Sequence, residues 1–242
     1  MKAAPEPFRF RQFTLSHHQS TMKAGTDAML LGSWLPLSGQ EQRVLDVGTG
    51  SGIITLMLAQ RSQAFIDAID IHQASVQEAS LNFNNSPWYH RLKADCVSFQ
   101  KFALQQSQLY DLIVSNPPFF HNSLLPADER LKMAKHNVNL SIDDFISGSL
   151  LLLAPEGRLA VILPIAEAND FCKQTESHGL HLQQQLLVIP TPEHVPSRRI
   201  LLLGKQPSDK IITQHLTVLK SDGKYTADYV ALTRDFHAEG YL

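Results

Sequence analysis

Arg43-Val44-Leu45-Asp46-Val47-Gly48-Thr49-Gly50-Ser51-Gly52 is the sharpest local signal in the chain. Arg43 to Val47 is a short β-branched run that ends in glycines, as a strand buried on both faces should be. Gly52 to Arg61 reads as the helix that follows it. Three glycines at alternate positions let the backbone turn tightly and bring its N–H groups against a ligand without side-chain collision. The spacing selects the ligand class. A dinucleotide fingerprint, G-x-G-x-x-G, needs its third glycine where Ile53 stands, so the pattern here is D-x-G-x-G-x-G.

On either side of this loop, short apolar runs alternate with longer amphipathic stretches, the signature of parallel strands joined by crossover helices. Strands are expected at Phe65 to Asp70, Leu92 to Asp95, Tyr110 to Ser115, Arg158 to Pro164, Leu180 to Ile189 and Arg199 to Lys205. Helices are expected over His72 to Asn84, from an N-cap at Ser141 through Leu153, over Ala166 to His178 and over Thr226 to Phe236. The last two strands are joined by a loop bearing Pro190, Pro192 and Pro196 with no crossover helix, so that pair is expected to be antiparallel. The fold class is therefore α/β: a mostly parallel seven-stranded sheet with helices on both faces and an antiparallel last strand. Residues 1–242 read as a single domain, with an arm over 1–22, a core over 23–205 and a strand and helix extension over 206–242.

Composition removes other classes. Hydrophobic residues make up 43% and charged ones 18%, which excludes disordered, collagen-like and disulfide-scaffold chains. No apolar run reaches the roughly 20 residues that span a bilayer, and the opening MKAAPEPFRF has no signal-peptide core, so a cytoplasmic location is expected. Cys96 and Cys172 form no CxxC, and the 11 histidines form no metal set, so no metal is expected. A net charge of -2 means that a polyanion has to be met by local patches.

A second signal stands at the end of the fourth strand, Ser115-Asn116-Pro117-Pro118-Phe119. Two prolines in succession hold the backbone extended and stop the ladder, leaving the carbonyls of Asn116 and Pro117 free to face the crevice. The glycine loop resembles motif I of the Rossmann-like S-adenosylmethionine-dependent methyltransferases. The tetrapeptide resembles the NPP[YFW] motif of those that act on planar nitrogen: the exocyclic amines of adenine or guanine, and the side-chain amide of glutamine. This resemblance implies cofactor contacts at Gly48, Gly50, Gly52 and Asn116, at Asp46 for the methionine amino end, at Asp70 for the ribose hydroxyls and at Asp95 for the adenine amino group. Asp67, two residues before Asp70, is read as a structural acid. S-adenosylhomocysteine is the implied product.

The chemistry accounts for those residue types. An exocyclic amine has its lone pair delocalised into the ring, and two acceptors, the Asn116 side-chain oxygen and the Pro117 carbonyl, can hold both N–H groups and aim the recovering lone pair at the methyl sulfonium. Phe119 can stack on an unpaired base, worth roughly 1 to 3 kcal/mol. Asn116, Pro117 and Phe119 are the expected catalytic set.

The string Met22-Lys23-Ala24-Gly25-Thr26-Asp27-Ala28-Met29-Leu30-Leu31-Gly32 resembles the bacterial tRNA(Val) adenine-N6 methyltransferases. Phe8 to Phe13, Asn85-Ser86-Pro87-Trp88, Tyr225 and Tyr229 to Thr233 extend that likeness over nearly the whole chain. It implies methylation of N6 of an adenine in the anticodon loop, 3' of the anticodon, with Thr26 near the methionine end of the cofactor. tRNA is the implied partner, with no membrane and no obligate protein partner. Arg9, Arg11, Lys23, Arg130, Lys132, Lys135, Arg198 and Arg199 are the expected phosphate contacts. Residues His121 to Asn139 read as a lid. A protein glutamine N5-methyltransferase and an rRNA guanine-N2 methyltransferase share the tetrapeptide and stand as alternatives; a cofactor-binding regulator without turnover is a third.

Overall fold

The computed structural model describes residues 7–17, 25–117 and 140–238. A short hairpin, β1 (Phe8–Arg9) and β2 (Thr14–Leu15), precedes α1 (Thr26–Trp34). The alternating part follows: β3 (Arg43–Val47), α2 (Ile53–Arg61), β4 (Phe65–Asp70), α3 (Gln73–Asn84), β5 (Leu92–Cys96), α4 (Phe99–Gln105) and β6 (Tyr110–Ser115). Beyond residue 140 come α5 (Ile142–Leu152), β7 (Leu153–Pro164), α6 (Ile165–Ser177), β8 (His181–Ile189), β9 (Arg198–Gly204), β10 (Ile212–Thr217) and α7 (Ala227–Thr233).

The main sheet runs in the order β10-β8-β9-β7-β6-β3-β4-β5. Only β9 runs against its neighbours, pairing antiparallel with both β7 and β8, as the helix-free proline loop requires. The mostly parallel α/β architecture is as expected, but among the described residues the sheet has eight strands rather than seven. The additional strand is β10, which pairs parallel with β8 at the edge. Only Leu216 of its six residues is buried, so it carries none of the apolar patterning by which a strand is recognised. α4 and the β1–β2 hairpin were likewise not expected. α5 stops one residue earlier than expected, at Leu152, because Leu153 already pairs with Tyr110 as the start of β7. Its N-cap is as read: Ser141 Oγ accepts the Asp144 N–H at 3.0 Å, with Asp143 and Asp144 in the first turn against the positive helix end.

Each face of the sheet is covered. On one side α1, α2, α3 and α7 bury Leu30, Leu31, Leu56, Met57, Phe83 and Tyr229 against Val44, Ile66 and Val114. Phe10, Phe13 and Leu15 of the arm join that core. On the other side α4, α5 and α6 bury Phe99, Phe145 and Phe171 against Leu45, Ile69, Ile113 and Val161. Alternate residues of β3 thus enter opposite cores, which is why Arg43 to Val47 reads as a strand apolar on both faces.

Candidate active site

β3, β4, β5 and β6 are mutually parallel, so their carboxyl ends lie along one edge of the sheet. The chain winds outward from β3 to β5, then returns to place β6 on the other side of β3. The β3/β6 boundary is therefore the topological switch point, where an open α/β sheet leaves a crevice. Asp95, Asp70, the glycine loop and Asn116 follow one another along that edge, in the order of their strands.

Gly48, Gly50 and Gly52 adopt φ of 74°, 56° and 83°, left-handed values that side-chain-bearing residues rarely adopt. A Cβ at Gly48 or Gly50 would meet no atom within 4 Å, so the loop backbone there borders open space. Gly52 differs: a Cβ would collide with the Phe83 ring of α3. The first two glycines thus leave room for a ligand, and the third lets α3 approach. The loop is tied to β4 as well, with the Gly48 and Thr49 N–H groups donating to the Ile69 carbonyl at 2.9 and 3.0 Å.

Asp70, at the end of β4, accepts the Gly50 N–H on Oδ2 at 3.0 Å and the His72 N–H on Oδ1 at 2.9 Å. Each oxygen keeps a lone pair, so ribose hydroxyls can be accepted without breaking either bond. Asp67 accepts from Arg43 Nη2 at 2.6 Å and from the Tyr110 hydroxyl at 2.8 Å, and these two bonds fasten β3 and β6 to β4. Asp95 borders an open groove between α3 and β5 and pairs with Lys93 at 2.7 Å.

Asp46 is fully buried. Its Oδ2 accepts the hydroxyls of Thr49 and Thr55, each at 2.7 Å, while its Oδ1 is buried without a hydrogen-bond partner. Burial pushes its carboxyl up to about 6, against the opposing effect of hydrogen bonds from the Thr55 and Thr49 hydroxyls and the Thr55 backbone N–H. Thr55 is a site-shaping residue that sequence reasoning missed, since nothing marks one threonine in a helix as the partner of a carboxylate nine residues earlier. Asn116 presents the second such orphan: its Oδ1 is buried and unpartnered at the end of β6. Beside it Ser115 Oγ donates to the Val47 carbonyl at 2.7 Å, locking the end of β6 to the start of the glycine loop. The open space at Gly48 and Gly50, with Asp70 beside it, fits a nucleoside cofactor, and Asn116 Oδ1, covered by protein here, is an acceptor of the type a substrate amine needs.

Thr26 opens α1 and is exposed, and its neighbour Asp27 accepts from Arg198 Nε at 2.9 Å. Arg199 donates to Gln185 at 2.5 Å and to Asn169 at 2.9 Å. Both arginines sit where β9 meets the carboxyl end of β7. Arg9 and Arg11 are exposed on the arm. Phe119, Lys23, Arg130, Lys132, Lys135 and the expected lid lie outside the described residues. Among the described residues no group of three or more His, Cys, Asp or Glu is gathered to hold a metal ion, and no helix is long and apolar enough to cross a membrane.

A family model described as the methyltransferase small domain matches residues 18–165. Across the full length, the chain is 38% identical over 231 residues to the tRNA1(Val) (adenine(37)-N6)-methyltransferase of Bacteroides fragilis, covering 95% of this chain and 97% of that one. The chain belongs to that methyltransferase family. The enzyme of the same name from Trichodesmium erythraeum is 40% identical over 233 residues, covering 95% of this chain and 97% of its own. Among solved structures, a predicted O-methyltransferase from Agrobacterium tumefaciens superposes with a TM-score of 0.66 at 18% identity, covering 88% of this methyltransferase and 98% of that chain. At that identity the likeness concerns the fold, which is that of the S-adenosylmethionine-dependent methyltransferases.

Proposed function

We propose that this enzyme methylates the exocyclic N6 amine of the adenine just 3' of the anticodon in a tRNA(Val), and that it does so in the cytoplasm as one domain over residues 1–242. The observation that carries the reading is the unpartnered, buried Oδ1 of Asn116 at the switch point, beside a glycine loop open to a ligand. A buried acceptor left without a donor costs about 1 to 3 kcal/mol, which an amine N–H that reached Asn116 Oδ1 would recover. The names of the full-length relatives supply the substrate.

S-adenosylmethionine supplies an electrophilic methyl group and leaves as S-adenosylhomocysteine. Asp70 takes the ribose hydroxyls, the loop amides around Gly48 and Gly50 line the methionine end with Thr26, Asp46 orients that loop from beneath through Thr49 and Thr55, and Asp95 takes the adenine amino group by giving up part of its pairing with Lys93. Asn116 Oδ1 and the Pro117 carbonyl accept the two N–H groups of the substrate amine. Held in that way, the amine would turn its lone pair out of conjugation and toward the methyl group, and after transfer it would release one of the two protons to water. Phe119 stacks on the target base. Arg9, Arg11, Lys23, Arg130, Lys132, Lys135, Arg198 and Arg199 supply the phosphate contacts.

Incubating the purified protein with labelled cofactor and small RNA lacking the modification, followed by nucleoside analysis, tests the reading. Label is expected in N6-methyladenosine. Label in N2-methylguanosine, or in protein alone, would transfer the assignment to the guanine or glutamine enzymes that share the tetrapeptide.

A further inference from the structure

Asn82, in the last turn of α3, is 2% exposed, and its side chain faces two segments far apart in sequence. Its Oδ1 accepts the Ser16 N–H at 2.9 Å and its Nδ2 donates to the Ser16 carbonyl at 2.8 Å, the pair of bonds that a neighbouring β-strand would make. The same Nδ2 donates at 2.8 Å to the Ser51 carbonyl. Ser51 stands between Gly50 and Gly52, so this bond sets the peptide plane that joins Ser51 to Gly52 inside the cofactor loop. One residue on, Phe83 occupies the space that a side chain at Gly52 would need. The end of α3 therefore reads the glycine loop from below and the N-terminal arm from outside with a single amide.

The arm has its own seat. Phe10 stacks on Phe13 at 4.3 Å, Phe13 meets the edge of Trp88 at 6.0 Å, and Leu15 is fully buried. The Arg11 N–H donates to the Phe236 carbonyl at 2.8 Å. Ser16 adjoins Leu15, so its bonds to Asn82 form only when the arm is seated. Without them the buried amide has an unused acceptor and an unused donor, and it is free to rotate away from Ser51 or to admit water.

We infer that Asn82 is a positioning residue that couples cofactor binding at the glycine loop to the seating of the 7–17 arm. It acts through the Ser51 carbonyl and touches neither cofactor nor substrate. Coupling of this kind is reciprocal: a seated arm favours the binding form of the loop, and a ligand on the loop favours the seated arm by the same factor. The inference rests on the reading of the loop as the cofactor site.

Calorimetric titration of the full chain with S-adenosylhomocysteine, together with hydrogen exchange across residues 7–17, provides the test. Ser16→Pro removes the arm's donor to Asn82 and leaves every atom of the loop in place. Asn82→Ala removes all three bonds. Both variants are expected to bind S-adenosylhomocysteine about tenfold more weakly, on the scale of one or two hydrogen bonds. The ligand is expected to slow exchange in the arm of the wild-type protein and to lose that effect in Asn82→Ala. A folded Ser16→Pro protein with wild-type affinity, or an arm whose exchange is indifferent to the ligand, overturns the coupling. Should Asn82→Ala fail to fold, Ser16→Pro and the wild-type exchange decide the matter. A wild-type chain that does not bind the ligand at all overturns the loop reading instead, so the two failures are distinct.

Discussion

Asp46 is a carboxylic acid enclosed by protein, and its environment raises its pKa from 3.8 to about 6. The native state therefore holds a proton that the unfolded chain has already released as pH rises from 3.8. Across that window the unfolded state binds fewer protons, so the native state loses stability with rising pH; above about 6 both states are ionised and the loss is complete. Asp46→Asn retains an acceptor for Thr49 and Thr55 without an ionisation. Urea midpoints of the two proteins are expected to diverge in the variant's favour as pH rises through this window and to run parallel above it; a constant difference at every pH would contradict the assignment. At the end of β6, Asn116→Ala is expected to lower kcat about 10²-fold or more and leave S-adenosylhomocysteine affinity within a few-fold, because on the proposed mechanism the lost contact is to the amine in the transition state. Single-turnover rates beside calorimetry separate the two quantities, and an unchanged rate would remove Asn116 from the chemistry.

Among the elements, α5 shows how the sheet's second face is held. Its Phe145 ring lies 5.3 Å from Phe99 of α4 and 6.2 Å from Phe171 of α6, and it is fully buried. Phe145→Ala is expected to cost about 3 to 5 kcal/mol, from lost transfer energy and the cavity left among three helices. Replacing the cap, Ser141→Ala, is expected to cost about 1 kcal/mol, because the Asp144 N–H is left to water on an exposed helix end. Denaturant curves for the pair should keep that order. Equal losses would mean that the three aromatic rings pack less tightly than their distances state.

For the molecule as a whole, a net charge of -2 has to coexist with a polyanionic substrate. Arg198 and Arg199, near the carboxyl edge of the sheet, already hold Asp27, Gln185 and Asn169. Arg9 and Arg11 are exposed on the arm. Replacing both arm arginines by Ala is expected to weaken tRNA binding and to reduce the slope of log K against log salt by about 1 to 2. Filter-binding titrations over a salt series read the slope directly; an unaltered slope places the arm away from the phosphates.

What could be read from sequence follows from what is local. β3 and β6 are buried on both faces, so their apolar runs, the glycine turn and the proline stop are written in consecutive residues, and these were enough to place the glycine loop, Asp70 and Asn116 at strand ends. β10 escaped because an edge strand with one buried residue needs only a neighbouring backbone, which leaves no trace in side-chain pattern. Thr55 and Asn82 escaped for a different reason. Their partners, Asp46 in one case and Ser16 with Ser51 in the other, are brought together only when α2, α3 and the arm pack against one face of the sheet. Sequence by itself determined the α/β alternation, the glycine turn after β3 and the end of β6 at Asn116-Pro117, because short-range periodicity and backbone stereochemistry are properties of neighbouring residues. Only the tertiary structure decided which buried acceptors are left unpaired and how the arm is bound to the loop, because hydrogen bonds between distant segments depend on how the helices pack.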